Sequence, residues 1–389
     1  MKKRTLIFLV PLLLLATAAE VALLVWTVGS ARDFVTTTWI TPQKLSQHLT
    51  AAEEFVEKDD WDAAIREFTE ALVIEPQSTD AFIGRGKAYL EKNDYEHARG
   101  DFTAAVGIDA TSAEAYEWRG YTYTLQGKLE AAIRDYDKAI ELETDADDPS
   151  AYERRAYARV MKGDVDEAIA DYDTAIRRKG GEDAGLAAGR GYAYEQKADW
   201  EHALADYDTA LRLDAKDAKV YAARGGVHGH RQEWEEALRD YDEALRLDPA
   251  DAEVRVARGM VFSEQGKGEA AVKDFREAVR LAPRKFVGYN SLAWVLATSP
   301  VAKIRNGPQA VTLATKACEL SKWKFSGLID TLAAAYAETG DFDQAIKYQQ
   351  DALELVKSEV RSDAKENAEM AKRLALYQSH QPYREPPHH

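Results

Sequence analysis

The chain has 389 residues, 46% of them apolar, and a formal charge of -16. Residues 1–44 hold five Lys/Arg against two Asp/Glu, so the remainder is more acidic still; with no basic stripe segregated on one face, it disfavours nucleic acid as a partner. The single cysteine, Cys318, excludes an intrachain disulfide and a cysteine-based metal cluster, and it reads as a small buried apolar residue on a helix.

Lys2, Lys3 and Arg4 precede an apolar run from Thr5 to Gly29 with fourteen Leu, Ile, Val or Phe residues and one charge, Glu20. Read as a signal-anchor helix, segment 1–29 spans a bilayer of roughly 30 Å. Glu20 opposes insertion by about 3 kcal/mol, whereas the fourteen apolar residues favour it by about 0.3–0.6 kcal/mol each. The alternative is a signal peptide cleaved after Ala16-Thr17-Ala18. The apolar stretch Val21 to Val28 beyond that point favours retention, and in either case the basic start leaves the rest of the chain outside the cytoplasm, in a periplasm-like or extracellular space. Residues 30–44, Thr-rich with Pro42, read as a juxtamembrane linker.

From 45 to 359 the chain repeats itself. The clearest copy, Ala218 to Asp251, places Tyr221, Gly225, Trp234, Ala237, Tyr241, Ala244 and Pro249 at positions 4, 8, 17, 20, 24, 27 and 32 of a 34-residue unit. Copies begin near 45, 79, 113, 149, 184, 218 and 252; an eighth is stretched by the loop 299–308, and a ninth spans about 326–359. Each predicts two antiparallel helices, with small residues at 8 and 20 where the pair crosses and aromatics at 4, 11, 17 and 24 filling space toward the next pair. Residues 360–379 keep a helical spacing and predict one closing helix, and 380–389, with Pro382, Pro386 and Pro387, predict an irregular tail.

This pattern resembles the tetratricopeptide (TPR) repeat. The resemblance implies an all-α, right-handed α-solenoid of about nine helix-turn-helix repeats, whose concave groove, lined mainly by first helices, receives a peptide or partner helix. Positions 2, 5, 9, 12 and 13 then face the groove, so position 9 contributes Tyr121, Tyr157, Tyr192, Gly226, Met260 and Trp294, with Glu117 and Glu153 beside them. The family's carboxylate clamp needs Asn with Lys or Arg where this chain has Tyr and Glu, so that ligand class is set aside. The expected ligand is a basic or aromatic/proline-containing segment.

Arg at position 7 (Arg85, Arg119, Arg155, Arg190, Arg224, Arg258) and Asp at position 23 (Asp101, Asp135, Asp171, Asp206, Asp240, Asp274) recur in fixed register, which argues for a structural ladder rather than catalysis. His228 and His230 diverge by about 200° on a helix, poor geometry for sharing a metal, and read as solvated groove side chains. Lys303 and Arg305 read as a solvated loop. No nucleophile elbow, phosphate loop or HExxH motif occurs. The expectation is a non-catalytic, membrane-anchored interaction scaffold without cofactor or metal; the alternatives are a soluble periplasmic peptide receptor and an accessory subunit of an envelope enzyme.

Overall fold

The computed structural model describes residues 41–386 apart from 144, 146, 147 and 358–363. The signal-anchor or signal-peptide segment 1–29 therefore lies outside the described residues, and no described helix is long and apolar enough to cross a membrane. All nineteen described elements are α-helices. The chain divides into two compact units, one ending at Gly180 and the other starting at Gly181.

In the first unit four antiparallel pairs follow in order: α1 (Thr41–Val56) with α2 (Trp61–Ile74), α3 (Thr79–Glu91) with α4 (Tyr95–Ile108), α5 (Ala113–Leu125) with α6 (Leu129–Leu142), and α7 (Ser150–Lys162) with α8 (Val165–Arg178). Helix α1 opens at Thr41, four residues inside the stretch read as linker. The second unit holds α9 (Ala184–Gln196) with α10 (Trp200–Leu213), α11 (Ala218–His230) with α12 (Trp234–Leu247), α13 (Ala252–Glu264) with α14 (Gly268–Leu281), α15 (Phe286–Thr298) with α16 (Gly307–Leu320), and α17 (Ser326–Thr339) with α18 (Phe342–Val356). Helix α19 (Ala364–Gln378) packs on α18 and α17 and closes that stack. Within each unit the second helix of a pair packs on the first helix of the next, the arrangement of an α-solenoid.

The small residue at position 8 makes room for a ring rather than for the helix backbone. A Cβ on Gly86, Gly120 or Gly259 would come within 3.0 Å of the position-24 ring of Phe102, Tyr136 or Phe275. Those rings are fully buried, so each pair is keyed by one glycine and one aromatic. In every pair except α15/α16, whose loop is enlarged, the turn depends on a left-handed residue at position 15. Gly127, Gly163, Gly266 and Gly340 supply it without strain, whereas Asp59, Asn93, Ala198 and Gln232 adopt φ between 56° and 60° there.

The Arg/Asp ladder forms as the register implied. All six pairs are bidentate, with nitrogen to oxygen distances of 2.7–2.9 Å. The aspartates are buried, and the guanidiniums of Arg85, Arg119, Arg155 and Arg224 lie against the position-4 ring, as with Arg119 over Tyr116 at 5.2 Å. Several of the arginines also reach back one pair, Arg85 to Thr69 in the first unit and Arg224 to Asp208 and Arg258 to Asp242 in the second. These bonds tie neighbouring pairs together, and the within-pair hydrogen bond to Asp240, more than the one reaching back to Asp208, holds Arg224 well above its usual range.

Candidate functional site

In the first unit, first helices α1, α3 and α5 line a cavity of about 980 Å³. Leu49, Val56, Ile83, Trp118, Tyr121 and Leu125 give it an apolar floor, and Val56 and Leu125 are exposed there. Its rim is acidic: Glu53, Glu57, Asp80, Glu91 and Glu114 are all exposed, against one lysine, Lys87, which pairs with Glu114 at 2.6 Å. An apolar floor with a few convergent charges at its rim is the usual makeup of a binding site.

Beside it the structure builds a cluster that the position-9 reading missed. Trp118 and Tyr121 meet edge to face at 5.8 Å, and the Arg154 guanidinium lies 4.4 Å from the Trp118 ring and 4.7 Å from that of Tyr121. Arg154 Nε also donates to Glu117 Oε1 at 2.9 Å. Burial pushes the Glu117 carboxyl above its usual range, and Arg154 opposes that shift. Tyr121 and Glu117 are thus partly engaged within the protein rather than free in a groove. Trp118 and Arg154 share position 6, and the coincidence of a large aromatic and a cation one repeat apart was the sequence signal that could have identified them.

The other expected residues are distributed between the units. Tyr157 on α7 is 48% exposed and Glu153 lies exposed on the same helix. In the second unit Tyr192 on α9 and Met260 on α13 are exposed, with Gly226 on α11 between them. A Cβ added at Gly226 would meet nothing nearer than the Tyr241 hydroxyl at 3.9 Å, so this floor is open. Trp294 on α15 is half-buried because the chain's own tail covers it: its indole N–H donates to Glu385 Oε1 at 2.6 Å, and the Tyr383 ring lies 5.9 Å away.

Two side-chain assignments change. His228 is not solvated: its side chain is 17% exposed and its ring hydrogen-bonds Glu233 at 2.7 Å, while His230 stacks on Trp200 at 5.1 Å. Arg305 likewise leaves solvent to hold the enlarged loop, donating to Glu338 at 3.0 Å and to the Ser299 carbonyl at 2.9 Å. Lys303 stays exposed with Glu269. Among the described residues no three His, Cys, Asp or Glu side chains gather as a metal would require. Cys318 is fully buried, and burial pushes its thiol up to about 12.

Comparison with known families agrees with the helix-pair register. Tetratricopeptide-repeat models match residues 49–113 and 153–218, 113–144, 230–266, 252–285 and 328–359. The chain is a tetratricopeptide-repeat protein. A TPR protein from Parabacteroides merdae superposes with a TM-score of 0.54 at 18% identity, over 64% of this chain and 98% of that one, a likeness of fold alone. A second structure, of MamA protein, is 28% identical over 46% of this chain and 96% of its own, with a TM-score of 0.39. YrrB, described as a TPR protein with an unusual peptide-binding site, is 23% identical over 48% of this chain and 95% of its own, with a TM-score of 0.38. Neither of these two superposes well enough to support more than the comparison itself. No curated protein matches the sequence.

Proposed function

We propose that this TPR protein is a non-catalytic interaction scaffold whose first unit receives a basic, amphipathic segment of a partner protein. The observation that supports this reading most directly is the 980 Å³ cavity, apolar at its floor and edged by five carboxylates, of which Glu114 is the one met by the only lining lysine. An incoming cationic helix or strand would lay apolar side chains on Trp118, Leu125 and Val56 and set its charges against the rim. The exposed position-9 side chain Tyr157 offers further contact area to an extended ligand within the first unit.

The probe is a 20-residue amphipathic peptide rich in lysine, compared with its glutamate-for-lysine counterpart by fluorescence anisotropy. Binding of the lysine peptide that weakens with salt, and falls at least tenfold in a Glu53→Lys/Glu57→Lys/Asp80→Lys chain, is expected. Equal affinity for the two peptides removes the charge argument, and unchanged affinity after Tyr121→Ala and Tyr157→Ala removes the aromatic one. We propose further that segment 1–29 anchors the chain in a membrane with the repeats outside the cytoplasm, on the strength of its basic start and 25-residue apolar run. Carbonate-resistant membrane retention of a chain beginning at Met1 is the expected result; a chain beginning near Ala19 would favour the soluble periplasmic receptor instead.

A further inference from the structure

The tail after α19 is irregular, as its prolines require, yet it is docked. His380 takes a left-handed turn at φ 53°, and the chain reverses to run across α15 and α17 with Pro382, Tyr383, Arg384 and Glu385 all half-buried. Glu385 uses both ends: its backbone N–H donates to the Thr298 carbonyl at 2.9 Å and its carboxylate accepts from the Trp294 indole at 2.6 Å. Arg384 pairs with Glu338, and Tyr383 lies against Trp294. Trp294 occupies position 9 of its repeat, the register that leaves Met260 exposed two helices earlier.

The seat under the tail is held by residues that do not belong to the tail. Glu338 is fixed by Arg305, which is itself bonded to the Ser299 carbonyl. Arg373, whose guanidinium lies 5.4 Å from the Trp294 ring and 5.5 Å from that of Tyr383, is locked by a bidentate bond to buried Asp330, both distances being 2.9 Å. The acid and the guanidinium are thus held by bonds that do not involve residues 381–386, and the Trp294 ring lies against that guanidinium. A preorganised seat loses little freedom when an extended segment enters it.

We propose that this seat is a peptide-binding site held closed by the chain's own segment 381–386. Its external ligand is an extended segment of a partner protein with the chemistry of residues 382–386: proline, aromatic, arginine, acid, proline. The tail is tethered to α19, so its effective concentration at the seat is on the order of millimolar, and a partner segment enters only by outcompeting it. This goes beyond the basic-segment site of the first unit and does not depend on it, since every residue involved lies in the second unit.

The test uses a fluorescein-labelled peptide with the sequence of residues 380–386 and the full chain. In a Tyr383→Ala/Glu385→Ala chain, whose tail has lost its ring and its carboxylate, the peptide should bind at least tenfold tighter than in the unaltered chain. Adding Trp294→Ala should abolish that binding. Equal affinity for unaltered and released chains, absence of binding to the released chain, or binding that survives Trp294→Ala each overturns the proposal. A second measurement needs no substitution: millimolar unlabelled peptide added to the unaltered chain should speed hydrogen exchange at the Glu385 amide by displacing the tail, and unchanged protection overturns it as well.

Discussion

Arg373→Met is the most informative single perturbation of the fold. Arg373, Asp330 and Gln349 bring α19, α17 and α18 together, with Arg373 donating twice to Asp330 at 2.9 Å and Gln349 Nε2 donating at 2.7 Å. All three are buried, Gln349 completely. Removing the guanidinium leaves a buried carboxylate with one neutral donor, a loss of about 3–5 kcal/mol. Because a repeat array opens piecemeal rather than all at once, the loss should fall on α19 and its contacts, not on a global melting temperature. Hydrogen exchange across residues 365–378 should therefore accelerate by roughly two to nearly four decades, at about 1.4 kcal/mol per decade. The double change Asp330→Leu/Arg373→Met removes both charges and should restore most of the protection. A single substitution that shifts exchange by less than about fivefold, roughly 1 kcal/mol, or a double no better protected than the single, refutes the assignment of this pair as the clasp of the capping helix.

Gly259→Ala should destabilise the chain by about 1–3 kcal/mol, read by urea denaturation, because the new methyl would lie 2.5 Å from Phe275 Cε1. Gly226→Ala, with nothing closer than 3.9 Å, should instead gain up to about 1 kcal/mol from helix propensity, and the opposite order of the two would refute the ring-and-glycine key. Ala198→Gly and Gln232→Gly each relieve a left-handed backbone worth about 1–2 kcal/mol, against about 0.4–1 kcal/mol of added unfolded-chain freedom, so each should raise stability by roughly 0.5–1 kcal/mol in the same assay. Cys318, buried and with its thiol pushed up to about 12, should resist a thiol-reactive dye at pH 8 until denaturant is added, and rapid labelling of the folded chain would contradict its placement.

The helix pairs, their boundaries near each 34-residue register and the six Arg/Asp bonds were all readable from sequence, because each depends on residues at a fixed spacing within one or two neighbouring repeats. Regularity also made Gly86, Gly120 and Gly259 legible as close-contact positions, although the sequence could not say that a ring at position 24, rather than the facing helix, requires them. What repetition does not carry is contact between unlike elements. Arg373 reaches Asp330 across 43 residues and Glu385 reaches Trp294 across 91, and among the described residues neither pairing has a counterpart elsewhere in the array. The same limit hid Arg154 on Trp118 and Tyr121, where two different residues at one repeat position meet only once. Local periodicity therefore determined the framework of this protein, while the state of its inner face, open at Met260 and covered at Trp294, was decided by where the non-repeating end of the chain comes to rest.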